Sequence, residues 1–192
     1  MHTLILIKHS KPEIKADVPA KLWNLSTEGR ERATNLAKAL ARYSPQTIVS
    51  SDEPKAIQTA QIVADIHHIP HHVAQNLHEH DRSNVLANDG QAQFEAKVAA
   101  FFDQPDELVY GLETATTALS RFSQALDETI SRFPVDTLAV VTHGTVITLY
   151  VAKACGIDPF PFWKSLQLPS YVVLSMPTKR LVEVVPSIEH GG

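Results

Sequence analysis

Two short apolar runs dominate the hydropathy pattern, and each ends on a histidine. Thr3-Leu4-Ile5-Leu6-Ile7 leads into Lys8-His9-Ser10, and Thr137-Leu138-Ala139-Val140-Val141 leads into Thr142-His143-Gly144. Neither run alternates with polar residues. Continuous aliphatic and β-branched runs of this length predict strands buried on both faces, as in a parallel sheet. Thr47-Ile48-Val49-Ser50 reads as another short strand, and an extended piece begins at Val73. Tyr171 to Met176 and Leu181 to Val185 read as the last two strands.

Between the strands the period changes to that of helices. Ser26 is a fitting N-cap, Glu28 falls in the first turn, and Ala33, Leu36, Ala37 and Leu40 then share one face. A further helix is expected from about Pro54, since proline is tolerated in a first turn. Others are expected around Phe94 to Phe102, over Glu113 to Phe133 with Leu119, Phe122, Leu126 and Ile130 on one stripe, and through Tyr150 to Cys155. Lys11 to Asn24, punctuated by Pro12 and Pro19, reads as a loop. This alternation predicts one α/β domain over residues 1–192, a three-layer α/β/α sandwich with a Rossmann-like, mostly parallel sheet. A polar stretch at about 78–110 reads as a small cap inserted into it.

Charge and composition narrow the function. The net charge of −4 lacks the basic footprint of a nucleic-acid binder. No apolar run reaches the length of a membrane span, the N-terminus has no signal-peptide pattern, and Cys155 is the only cysteine. The expectation is therefore a cytoplasmic protein with neither nucleic acid nor membrane as partner. Six of the ten histidines lie at positions 67, 68, 71, 72, 78 and 80, which raises a metal reading. They lack the helical i, i+4 pair with a partner acid found in zinc enzymes, so neither metal nor cofactor is expected. His78 and His80 flank Glu79, which offers substrate contact instead.

In open α/β sheets, groups just past the carboxyl ends of strands line the ligand crevice. His9, beside Lys8, and His143, at a helix start, would face one such crevice, and that combination suits phosphate chemistry. Here the sequence resembles the histidine phosphatase (phosphoglycerate mutase-like) superfamily. Lys8-His9-Ser10 resembles its Arg-His-Gly signature, and Leu25-Ser26-x-x-Gly29 its Leu-Thr-x-x-Gly helix start. Ser50 to Ala60 is similar to its Ser-Ser-x-x-x-Arg-Ala-x-Gln-Thr-Ala segment, and Leu77-His78-Glu79 to its Leu-x-Glu. Gly111-Leu112-Glu113 is loosely similar to its Gly-Glu-Ser region, and Thr142-His143-Gly144 matches its second histidine motif. The matches follow the family's order along nearly the whole chain.

The resemblance implies catalytic roles for His9, Glu79 and His143, with Lys8, Ser10, Lys55 and Gly144 holding substrate. His9 would attack phosphorus as a neutral imidazole, its other ring nitrogen held by a backbone carbonyl. Lys8, Lys55, His143 and backbone amides after His143 would surround the phosphoryl oxygens. Glu79, with a raised pKa, would serve as proton donor, and Asp81 stands close enough in sequence to replace it. Glu113 reads as a helix-start acid and Arg121 as a surface helix residue.

Three departures from the family pattern stand out. Lys8 and Lys55 replace arginines, which keeps the charge but loses a planar, two-pronged grip worth about 1–3 kcal/mol per site. Ser10 replaces a glycine, adding a Cβ and a hydroxyl. The leading expectation is a metal-independent phosphatase that hydrolyses a small phosphorylated metabolite through phosphohistidine. A catalytically weakened phosphate-ligand binder is the alternative. A mutase and a phosphatase of protein phosphohistidine are less favoured, the former because the cap offers only Arg82 and Lys97 as cations.

Overall fold

A computed structural model describes residues 2–85 and 90–188, so residues 86–89 of the expected cap lie outside the described residues. The elements run β1 (His2–Lys8), α1 (Thr27–Leu40), β2 (Thr47–Ser50), α2 (Pro54–His67), β3 (His71–Val73), α3 (Gln91–Asp103), α4 (Ala115–Arg132), β4 (Thr137–Thr142), α5 (Gly144–Cys155), α6 (Pro159–Ser165), β5 (Ser170–Met176) and β6 (Arg180–Val185). The strands form one sheet in the order β3-β2-β4-β1-β5-β6. The first four are mutually parallel, while β5 and β6 are added antiparallel. Among the described residues no helix is long and apolar enough to cross a membrane.

The unbroken apolar runs arise because both faces of the central strands are covered. Leu4, Leu6, Leu138 and Val140 point to one face, against Phe122, Leu126, Val146 and Ile147 of α4 and α5. Ile5, Ile7, Ala139 and Val141 point to the other, against Leu36, Leu40, Ala60 and Val63 of α1 and α2. The result is the expected three-layer sandwich. A smaller apolar cluster, built on Val98, Phe101, Phe102 and Tyr110, seats α3 on the start of α4 and on α5.

Strand order determines where a ligand can sit. From β1 the chain crosses through α1 to β2, on the far side of β4. From β4 it crosses through α5, on the opposite face, to β5 beyond β1. The two connections diverge at the β1–β4 pair. That divergence opens a crevice past the carboxyl ends of these two strands.

Local signals explain most element boundaries. Ser26 caps α1 by accepting the Gly29 N–H at 3.0 Å. Gly29 itself has a steric cause, because a Cβ there would lie 2.0 Å from the Lys11 carbonyl oxygen. The Lys11–Asn24 loop passes directly over that first turn, and the Ser26 N–H donates to Lys11 O at 3.1 Å. Two expectations need correction. The extended piece at Val73 ends there and begins at His71. It is a short edge strand, whose histidines are tolerated because His71 Nε2 meets Ser50 Oγ at 2.9 Å and His72 stacks on Phe133. The short helix α6 was not anticipated; Asp158 caps it at Phe160 N and Pro159 opens its first turn.

Candidate active site

Register brings the two histidines together. Lys8 of β1 pairs with Thr142 of β4, and the next residue along, His9, donates its N–H to Thr142 O at 3.0 Å. His9 and His143 therefore leave adjacent strands at the same level. Their ring centroids are 5.1 Å apart at an interplanar angle of 62°. His9 Nδ1 lies 2.7 Å from the Ser10 carbonyl oxygen. A carbonyl only accepts, so Nδ1 carries the proton and Nε2 presents its lone pair. Burial, followed by His143 and the Lys55 charge, holds the His9 pKa well below the usual imidazole range. The imidazole is neutral at physiological pH, the form that nucleophilic attack requires.

His143 is fully buried at the N-cap of α5. Its Nε2 is 2.7 Å from Ser51 Oγ and 3.5 Å from Glu53 Oε1. Burial first, then Lys55, also holds this ring well below the usual range. Ser51 is in place because β2 runs beside β4, its N–H donating to Val141 O at 3.0 Å.

The two lysines are tied to different segments. Lys8 Nζ donates to Leu166 O at 2.6 Å, and Lys55 Nζ to Ala20 O at 2.7 Å. Burial lowers the Lys8 pKa to about 8, against the nearby Glu79 carboxylate, which raises it. Gly144 makes room for this side chain, since a Cβ there would sit 2.9 Å from Lys8 Cε. Ser10 has a different place from the one expected. It is fully buried, its hydroxyl donates to Gly29 O at 2.6 Å, and its N–H donates to Thr59 Oγ1 at 3.0 Å. The hydroxyl is thus spent in fastening the β1 end to α1 and does not face the cavity.

Glu79 is held from several directions. Thr142 Oγ1 donates to Leu77 O at 2.6 Å, which ties the segment to the end of β4. Arg121 donates to the carbonyls of Asn76, His78 and Glu79, and makes a two-pronged pair with Glu113, at 2.5 Å from Nη2 to Oε1. Glu113 in turn accepts the Asp81 N–H at 2.9 Å. Neither Arg121 nor Glu113 is the peripheral residue the helical pattern suggested; together they clamp the loop that carries the acid. Gly111 serves the same packing. With φ at +86° and a Cβ position 2.6 Å from His80 Nε2, only glycine fits there.

The carboxylate of Glu79 accepts the N–H groups of Thr145 at 3.1 Å and Val146 at 3.3 Å. Those α5 amides, expected to meet phosphate, are engaged by the acid. Burial pushes Glu79 up, yet His143, Arg82 and the backbone donors outweigh it and hold the carboxyl below its usual range. The raised pKa expected from the sequence is not found. Asp81 turns its carboxylate to the Ser83 N–H at 3.0 Å. His80 is buried and packs on Phe101 of α3 with ring centroids 4.0 Å apart. The remaining histidines of the cluster are dispersed, and no group of three metal-ligating side chains is assembled among the described residues.

Sequence reasoning missed Glu53. Its buried carboxylate forms an ion pair with Lys55, faces His143, and accepts the Glu79 N–H at 3.0 Å. A glutamate at an N-cap, followed by Pro54, reads as a solvated helix entrance. Glutamate is too long to cap well, however, and this one makes no capping bond and turns inward instead. Arg82 was likewise weighed only as a cap cation. It lies over the Phe94 ring at 4.9 Å and borders the same cavity. That cavity, about 690 Å³, is walled at its base by Lys8, His9, Lys55, Glu79 and His143.

The model of the histidine phosphatase superfamily (branch 1) matches residues 4–185, and the chain belongs to that superfamily. Phosphoserine phosphatase 1 of Hydrogenobacter thermophilus is 24% identical over 199 residues, covering 95% of this chain and 90% of that protein. The structure of Bacillus stearothermophilus YhfR aligns with a TM-score of 0.79 at 22% identity, covering 99% of each chain. A mycobacterial glucosyl-3-phosphoglycerate phosphatase aligns at 0.76 and 20% identity, covering 98% of this chain and 100% of the other. The structural likenesses establish the fold, and the family membership supports an enzyme of the histidine phosphatase type.

The Glu53–Lys55 pair leads to a prediction. A buried carboxylate paired with Lys55 offsets one of the cations at the base of the cavity, so Glu53→Gln should tighten inorganic phosphate or vanadate binding by about tenfold, the scale of one charge-assisted contact. Isothermal titration of both proteins checks this. Weaker binding in the variant would show that Glu53 chiefly holds Lys55 in position.

Proposed function

We propose that this protein hydrolyses small phosphomonoesters through a phosphohistidine on His9. One observation carries the reading: a neutral His9, its Nδ1 bonded to Ser10 O, offers Nε2 beside His143 in a cavity with Lys8, Lys55 and Arg82 on its walls. In the first step Nε2 bonds to phosphorus while the ester P–O bond breaks, and the alcohol leaves with a proton from Glu79. In the second, water bonds to phosphorus, the N–P bond breaks, and Glu79 takes the proton. The lysines neutralise charge on the phosphoryl oxygens, and the neutral imidazole of His143 serves there as a hydrogen-bonding group rather than as a charge. No step is routed through a metal.

Glu79 can be an anion before substrate arrives and an acid afterwards. A phosphate dianion entering beside it raises the carboxyl pKa by like-charge repulsion. Glu79 therefore takes up a proton together with substrate. Its enclosure by His143, Arg82 and the start of α5 favours it over Asp81, whose carboxylate is turned to Ser83. Arg82 is also well placed to supply a planar grip that Lys8 and Lys55 lack, because no described residue accepts a hydrogen bond from its guanidinium.

The relatives named as phosphoserine and glucosyl-3-phosphoglycerate phosphatases support a phosphorylated metabolite as substrate. A ligand binder without turnover would need neither a tautomer-fixed histidine nor an enclosed acid, so hydrolysis is the favoured reading.

Two outcomes are expected. Glu79→Gln should lower kcat/KM for alkyl phosphates by about 100-fold or more, the range for general acid catalysis, and much less for nitrophenyl phosphate, whose leaving group departs unaided. An equal loss on both would reduce Glu79 to a positioning role. In addition, Lys8 loses its charge as the pH rises through about 8. The kcat/KM profile should therefore fall on the alkaline side from that pH, and Lys8→Arg should remove that limb. A wild-type profile flat to higher pH would show that no charge the reaction needs is lost near pH 8.

A further inference from the structure

We infer that the alcohol part of the substrate is bulky and apolar, aromatic or branched aliphatic, rather than a small carboxylated skeleton. This rests on the phosphatase reading above, because the outer wall in question belongs to the same cavity as His9. Whatever sits there is the organic part of the ester whose phosphate lies at the base. At about 690 Å³ the cavity falls within the ~300–1,000 Å³ range that holds drug-sized ligands.

The outer wall has two apolar sides. The loop before α1 contributes Ile14, Leu22 and Trp23, and α3 and α6 contribute Phe94 and Trp163. Ile14 is 70% exposed and Leu22 is 54% exposed. A single exposed aliphatic residue is ordinary, whereas several converging on one concave surface mark a binding wall.

These side chains are held in place for apolar contact. Trp23 Nε1 donates to Lys15 O at 3.1 Å and Val18 O at 2.9 Å, which leaves only carbon surface for a ligand. Trp163 meets Phe94 edge-on at 5.7 Å and stacks with Phe160 at 6.1 Å. Aromatic rings fixed by neighbours bind at low entropic cost.

The polar groups of the same wall disfavour a second carboxylate on the substrate. Asp52 and Asp81 border the cavity, and hydrogen bonds from Ser83 outweigh burial to hold Asp81 below the usual carboxylate range. Lys11 is paired with Glu28 at 2.5 Å and Arg82 is assigned to the phosphoryl group above, so of the cations bordering the cavity Lys21 is the one left to meet a carboxylate. Desolvating a carboxylate against two aspartates is costly, whereas burying a ring against Trp23 and Trp163 is favourable.

The test compares phenethyl phosphate, ethyl phosphate and O-phosphoserine, all esters of alkyl alcohols, with the intact protein. Expected is a kcat/KM for phenethyl phosphate higher by about ten- to a hundredfold, the range for matched apolar contacts in a pocket. In Trp163→Ala and Trp23→Ala that ratio should fall toward unity. Calorimetric binding of phenethylphosphonate and methylphosphonate to wild type reads the same preference without turnover or mutation. Equal rates for the three esters, or preference for O-phosphoserine, would overturn the inference. Phosphonate binding with the expected preference but no hydrolysis would uphold it and overturn the phosphatase reading instead. Failure of both phosphonates to bind would overturn both.

Discussion

The parallel, in-register pairing of β1 with β4 is the constraint on which the site depends. Because Lys8 lies level with Thr142, the next residue on each strand is a histidine at the same height, and the two rings have no choice but to meet. A slip of one residue would turn every side chain of β1 to the opposite layer. Leu4 and Leu6 would then face α1 and α2, while Ile5 and Ile7 would face α4 and α5. Packing against both helical layers thus enforces the register, and the register assembles the chemistry.

Around that pair, low dielectric does further work. Neutral imidazoles follow from burial, since desolvation and the neighbouring cations disfavour their charged forms more than the Ser10 carbonyl at His9 and the Glu79 carboxylate at His143 favour them. The same burial brings Lys8 within reach of physiological titration. Glu53 and Glu79 complete a compact alternation of charge in which each acid also accepts a backbone N–H. These acids balance the cations at the base of the cavity.

Much of this was legible in the chain. His9 and His143 could be placed because strand ends are readable from apolar runs, and Gly29 because it falls in a helix-start motif that resembles the family's. What stayed hidden depends on contacts between distant segments. Arg121 sits one residue before buried Phe122, and its inward role appears only when the loop at 76–81 packs over α4. Ser10 looks like a phosphate donor until Gly29 O, on another element, takes its hydroxyl. Glu53 resembles a solvated helix entrance until Lys55 and His143 enclose it. Helical and strand periodicity encode burial well, but partner choice among polar groups is a three-dimensional matter.

The central claim is that the Nε2 atom of His9 becomes covalently phosphorylated. Rapid mixing with a phosphomonoester, alkaline quenching and peptide mass spectrometry with ³¹P NMR would test it most directly. The account predicts an acid-labile, base-stable phosphoramidate at Nε2 of His9 that decays as inorganic phosphate appears. Hydrolysis proceeding with no phosphoenzyme, or with the phosphoryl group on another residue, would contradict it.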